Sequence, residues 1–213
     1  WMYLDGVDFG LFDKKRTSPA SIYANYPDLA DKRVVLYVGR LSPHKNVHTL
    51  IKAFAGLQQS VDARLLIVGR PSFPDYHKSL ADLVRRLGLN DVVIFTGTVP
   101  RVDLPKYYQM CDIYASCSLW EGFLRAEAFA MEKPMVAFDV GANSETIRHG
   151  VSGLLIKEMS PVAFGSGLVE LLSDEELAKD MGKNGFEWAK ENLDFDIIAQ
   201  NFAQIAEYAT ATV

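Results

Sequence analysis

The sequence is poor in cysteine and histidine and has no long apolar run. Cys111 and Cys117 are the only two cysteines among 213 residues, and neither has a histidine at metal-ligand spacing. That argues against a disulfide-framed secreted module and against a zinc knuckle. Two reduced, buried thiols in a cytoplasmic setting are the expectation. His44, His48, His77 and His149 are scattered, so surface or capping roles are expected for all four. There is no G-x-S-x-G and no H-E-x-x-H. The longest apolar runs, such as Val34–Val38, are strand-sized and far short of the roughly 18 residues a membrane span needs. Basic residues are not in excess: the net charge is -5, which leaves no electrostatic footprint for nucleic acid. Low-complexity segments and short internal repeats are absent. Nothing before Gly6 reads as a signal peptide, and the chain, opening on Trp1, is read as a piece of a longer protein.

What is present is an ordered alternation. Residues 1–31 are polar and turn-rich and read as a lead-in. From Lys32, short β-branched runs alternate with stretches of helical period. Strands are expected at Val34–Val38, Leu65–Val68, Val92–Phe95, Asp112–Ala115, Met135–Phe138 and Leu154–Ile156. Helices are expected at Val47–Leu57, around Leu80–Leu87, and at Leu104–Met110 and Ala126–Met131. Three more follow at Pro161–Leu172, Glu175–Asn192 and Asp196–Ala209. Strand, helix and strand in repetition imply parallel pairing with right-handed crossovers. The expected fold is therefore α/β: a Rossmann-like, doubly wound, mostly parallel six-stranded sheet with helices on both faces and extra C-terminal helices. Residues 32–193 would form that domain and residues 194–213 a final helix. The order of the strands stays open.

Ligands of open α/β sheets bind beyond the carboxyl ends of the strands, so the chemistry is sought there. Glycine follows nearly every strand, as at Gly39, Gly69, Gly97 and Gly141, and lets a backbone come close to a ligand. Arg40 and Lys45 flank a helix start after the first strand. Two cations beside free backbone N–H groups suit a diphosphate, and a pair of solvated loop charges fits the same spacing. The loop lacks G-x-G-x-x-G, and the second strand ends in Gly69-Arg70 rather than an acidic ribose ligand, which argues against a dinucleotide dehydrogenase. After the fourth strand, Glu121-Gly122-Phe123 precedes Glu127. Six residues on one helix would rotate by about 600°, so Glu121 has to sit in the preceding loop if both carboxylates serve one ligand. Glu127 fits a ribose-binding carboxylate or an acid favoured by the helix dipole, and Glu121 a site carboxylate or an exposed loop acid.

In this order and spacing the segments resemble the group-one (family four) retaining glycosyltransferases over almost the whole chain. Asp5-Gly6-Val7-Asp8 with Phe12 is similar to the segment entering that family's C-terminal domain. Val38-Gly39-Arg40-Leu41-x-x-x-Lys45 is similar to the loop whose Arg and Lys grip the donor diphosphate. Phe95-Thr96-Gly97-Thr98-Val99 resembles the segment whose backbone meets the nucleobase. Ser118-Leu119-Trp120-Glu121-Gly122-Phe123-Leu124 with Glu127-Ala128-x-Ala130-x-x-x-Pro134 resembles the paired-glutamate motif, and Asp139-Val140-Gly141-x-x-x-Glu145 with Gly150-x-x-Gly153 closes the series. The resemblance implies catalytic roles for Glu121, Arg40 and Lys45. It implies donor contacts from Gly39, Arg40, Lys45, Gly97, Val99, Gly122, Phe123, Leu124 and Glu127.

The chain departs from the family in four places. Five residues separate Glu121 from Glu127, two fewer than the family's usual spacing. Because two extended residues span about 7 Å, the shorter link is expected to draw Glu121 away from where the family's first glutamate meets the sugar. Leu124 stands where glycine is common. Glu132 replaces the glycine before Lys133-Pro134, at a helix end that favours a left-handed cap. Ala142 replaces a second glycine. The resemblance implies the donor-binding half of an enzyme that moves a sugar from a nucleoside-diphosphate sugar to an acceptor hydroxyl, with this chain inactive by itself. It implies no metal and no further cofactor. The acceptor (a glycan, a lipid or a small molecule) would come through an absent N-terminal domain. The expected setting is cytoplasmic, with peripheral membrane contact open to the whole protein. A non-catalytic nucleotide-sugar-binding module and a nucleotide-sugar epimerase of the same architecture remain as alternatives.

Overall fold

A computed structural model describes residues 6–122 and 126–211. Six strands form one parallel sheet: β1 (Arg33–Val38), β2 (Ala63–Val68), β3 (Val93–Gly97), β4 (Ile113–Ser116), β5 (Met135–Phe138) and β6 (Gly153–Ile156), in the spatial order β3-β2-β1-β4-β5-β6. The chain builds outward from β1 to β3, returns to the centre, and builds outward again from β4. β1 therefore pairs with β2 on one side, Val35 opposite Leu65, and with β4 on the other, Val35 opposite Ile113. The reversal between β1 and β4 opens a crevice at their carboxyl ends, where doubly wound sheets place their ligands.

The strands read as nearly unbroken apolar runs because both faces of the sheet are covered. Side chains alternate between two cores. Val35, Tyr37, Leu65, Ile67, Ile113 and Val136 face one side, under α2 (Val47–Leu57), α3 (Pro74–Arg86) and α7 (Pro161–Ser173). Val34, Leu36, Val38, Leu66, Tyr114 and Ala137 face the other, under α4 (Leu104–Met110), α5 (Glu127–Ala130) and α8 (Glu175–Asn192). The segment before β1 also covers this second face. It carries α1 (Ala20–Asn25) and buries Phe12, Ile22 and Leu29, with Phe12 edge-on to Tyr108 at 5.8 Å. A last short helix, α6 (Asn143–Thr146), follows β5, and α9 (Phe195–Ala211) ends the described chain. α9 leaves Phe202 half exposed, and the side chain of Ile205 lies outside the described residues.

Glu132 adopts φ 54, the left-handed conformation expected at this glycine-favouring position. Its carboxylate meets Lys14 at 2.6 Å and so ties the lead-in to the end of α5. At the amino ends of the strands, Arg33 bridges Asp112 of the β4 approach and Glu175 of α8, and Lys179 also holds Glu175. Lys179 and Arg33 pull the Glu175 carboxyl down to about 2 from 4.5. A depressed carboxylate contributes stability above its unfolded pKa and loses it as pH falls through the folded one. Glu175→Gln should therefore lower the urea midpoint at pH 7, and the difference from the parent should shrink between pH 4.5 and 2. Urea titrations of both proteins across that range check it. Cys111 and Cys117 are buried and unpaired, and burial pushes the Cys111 thiol up to about 12 and the Cys117 thiol up as well.

Candidate functional site

A cleft of about 360 Å³ lies at the β1/β4 crevice, within the size range of small-molecule sites. Arg40, Lys45, Glu121 and Glu127, singled out from two separate stretches of sequence, all line it, together with Gly39. Each follows the carboxyl end of β1 or β4, so the strand order does the gathering.

The β1 loop is held locally. The Tyr37 hydroxyl donates to the Arg40 carbonyl at 2.9 Å, and the Leu41 N–H donates to the Arg70 carbonyl beside it. The Arg40 guanidinium is exposed and makes no ion pair or hydrogen bond among the described residues. Lys45 closes a single 3-10 turn (Pro43–Lys45), and Asn46, at φ 54, then swings the chain into α2. The Lys45 ammonium lies 2.6 and 2.7 Å from the two carboxylate oxygens of Glu121.

Glu121 is buried in the β4 loop. The Ser118 hydroxyl donates to its carboxylate at 2.7 Å, and the Ala142 N–H donates to its backbone carbonyl at 2.9 Å. The Leu119 N–H donates to the His44 carbonyl at 2.8 Å, which locks the β4 loop to the β1 loop. The shortened link therefore leaves Glu121 inside the cleft, as the counter-ion of Lys45. Glu127 opens α5 and is half-buried on the cleft wall.

Gly97 ends β3 and Val99 lies in the loop after it, two strands from β1 on the same edge of the sheet, and they do not line the cleft. The Gly69 N–H donates to the Gly97 carbonyl at 2.9 Å, and Val99 packs against the second core. Gly122 lies under the Trp120 indole. Phe123 and Leu124 lie outside the described residues, as does Asp5. Sequence reading gave no site role to Ser118, Arg101, Gly6 or Phe195. The last three also line the cleft, where entering and leaving chain cross: the Val7 N–H donates to the Leu193 carbonyl at 2.7 Å. Arg101 had one available signal, a cation four residues beyond β3 on the ligand-binding edge.

Among the described residues the lining carries three cations, Arg40, Lys45 and Arg101, against two carboxylates, Glu121 and Glu127. On a chain of net charge -5, such a pocket favours an anion, and with Lys45 already paired the free guanidinia provide the attraction. Among the described residues, no group of three or more His, Cys, Asp or Glu could hold a metal ion. No described helix is long and apolar enough to cross a membrane.

The family model for group 1 glycosyl transferases matches residues 24–188, a stretch that contains β1 to β6 and the four charged cleft residues of the β1 and β4 loops. The chain belongs to the group 1 glycosyltransferases. The GDP-mannose-dependent alpha-(1-6)-phosphatidylinositol monomannoside mannosyltransferase of Mycobacterium tuberculosis is 30% identical over 208 residues, covering 93% of this chain and 53% of that protein. The D-inositol 3-phosphate glycosyltransferase of Thermobispora bispora is 33% identical over 178 residues, covering 79% and 41%. Anabaena Alr3699/HepE in complex with UDP-glucose superposes with a TM-score of 0.85 at 29% identity, covering 95% of this chain and 56% of that one. This glycosyltransferase chain thus spans about half the length of the curated relatives it matches.

Proposed function

We propose that the chain is the donor-binding half of a retaining glycosyltransferase and holds a nucleoside-diphosphate sugar in the β1/β4 cleft. The observation that carries this reading is the convergence of Arg40, Lys45, Glu121 and Glu127 on one cavity at the switch point of the sheet. Arg40 and the third ammonium hydrogen of Lys45 bind the diphosphate and stabilise the charge it gains as it leaves. Glu127 accepts hydrogen bonds from the vicinal hydroxyls of the ribose. Glu121, steadied by Ser118 and Lys45, faces the sugar. In the whole protein the anomeric bond to the diphosphate breaks and an acceptor oxygen bonds to the same carbon on the same face. The acceptor's proton departs with the diphosphate. GDP-mannose, on which the Mycobacterium tuberculosis relative depends, and UDP-glucose, bound in the Anabaena structure, are of this chemical class. The acceptor side and its exclusion of water belong to the part of the enzyme outside this chain, so the chain alone binds nucleotide and transfers no sugar.

Glu127→Ala is expected to weaken binding of the preferred nucleoside diphosphate by about 1–3 kcal/mol, the cost of leaving ribose hydroxyls unpaired. Calorimetric titration of the chain measures it, and an unchanged affinity removes Glu127 from the ribose. Retention is tested on the full-length protein by proton NMR of the first product formed. An anomeric configuration opposite to the donor's would refute the retaining assignment.

A further inference from the structure

We propose that Arg101 is a specificity residue for the donor's base, making the cleft favour uracil or guanine over adenine. The inference rests on the nucleoside-diphosphate reading above and adds the identity of the base.

Three observations carry it. Arg101 begins the 3-10 turn Arg101–Asp103 beyond β3, and it lines the same cavity as Arg40 and Lys45. Its side chain is exposed and makes no ion pair or hydrogen bond among the described residues, whereas nearby Lys106 is held by Asp103 at 2.7 Å. The cleft also has a direction. On the β5 side it is shut: Gly141 lies directly against the Glu121 backbone, the Ala142 N–H is bonded to the Glu121 carbonyl, and no residue of the loop after β5 lines the cavity. A ligand whose phosphates sit at Arg40 and Lys45 therefore extends along the sheet edge toward β3. β3 is two strands from β1, about 10 Å at the usual strand spacing. That is roughly the reach of a nucleoside from its phosphate, so the base arrives at Arg101.

A guanidinium only donates hydrogen bonds, in a fixed fork. Uracil offers ring carbonyl oxygens, each able to accept one bond from the guanidinium, and guanine offers O6 beside N7, the pair an arginine fork matches. Adenine sets an amino donor beside N7 and opposes the fork.

The test is calorimetric titration of the chain and of Arg101→Ala with UDP, GDP, ADP and inorganic pyrophosphate. The exposed position of Arg101 should leave the unfolding midpoint unchanged. The parent should bind UDP or GDP roughly tenfold or more tighter than ADP. Arg101→Ala should lose most of that margin while ADP and pyrophosphate bind as before. Arg101→Lys keeps the charge without the fork and should lose the margin of GDP, whose O6 and N7 the fork spans. An equal loss for all three nucleotides would mean stacking on the ring rather than reading of its edge, and a loss for pyrophosphate would mean a phosphate contact. Either result overturns the proposal, as does an unchanged preference or a parent that prefers ADP. In all of those cases nucleotide binding itself survives. Failure of the parent to bind any of the three nucleotides would instead refute the underlying donor-site reading and this inference with it.

Discussion

Lys45→Ala should destabilise the protein by about 2–4 kcal/mol, although Lys45 lies in a loop. The Lys45 and Glu121 side chains are only 19% and 11% exposed. Removing the ammonium leaves the Glu121 carboxylate buried with the Ser118 hydroxyl as its remaining side-chain donor among the described residues. An uncompensated buried charge costs more than the pair itself contributes, so the sign does not depend on how much the pair stabilises. Glu121→Gln in the Lys45→Ala background removes the stranded charge and should recover most of the loss. A double-mutant cycle read by urea denaturation measures the coupling. A coupling near zero, with Lys45→Ala as stable as the parent, would contradict the ion pair.

Gly141→Ala should be similarly damaging, at roughly 2–4 kcal/mol, and should also weaken nucleotide binding from outside the cleft. Two costs add. Gly141 has φ +55, where a side chain is disfavoured by about 1–2 kcal/mol. A methyl group built there would lie 2.1 Å from the Glu121 backbone carbonyl oxygen, so one of the two loops has to move. Either movement disturbs the hydrogen bond from the Ala142 N–H that fixes Glu121, and the Lys45 partner moves with it. Urea denaturation and a nucleotide titration of the same variant check both parts. A loss below about 1 kcal/mol with unchanged affinity would show that the β5 loop yields without consequence for the site.

Much of this architecture was legible in the sequence, and the exceptions have physical causes. Val47–Leu57, Leu104–Met110, Met135–Phe138 and Glu175–Asn192 are found with the expected boundaries, because local period and end signals specify them. The strand order was not legible, since the pairing of Val35 with Ile113 joins residues far apart in the chain. The helix Ala20–Asn25 escaped because it is a turn and a half of weak propensity with one buried side chain, Ile22. Tertiary contact, not local preference, holds so short a helix. At the site, residue type and position after a strand were enough to nominate Arg40, Lys45, Glu121 and Glu127. The ion pair between Lys45 and Glu121 was not foreseeable, because it spans 76 positions and depends on β1 and β4 being neighbours. Arg101 carried only the signal of a cation after β3, and its nearness to the cleft follows from the strand order that sets β3 two strands from β1.

A cleft that binds a nucleoside diphosphate through its phosphates is probed most cleanly at Arg40. Its guanidinium is exposed and unpaired among the described residues, so Arg40→Ala should fold as the parent does, unlike a variant at Lys45. The measurement is calorimetric titration of the chain and of Arg40→Ala with UDP and GDP at low salt, alongside the unfolding midpoint of each. The parent should bind at least one of the two. Arg40→Ala, with an unchanged midpoint, should lose roughly tenfold or more in affinity, as expected for a charge-assisted contact to phosphate. Equal affinity in a folded Arg40→Ala chain, or no binding of either nucleotide by the parent, would contradict the assignment.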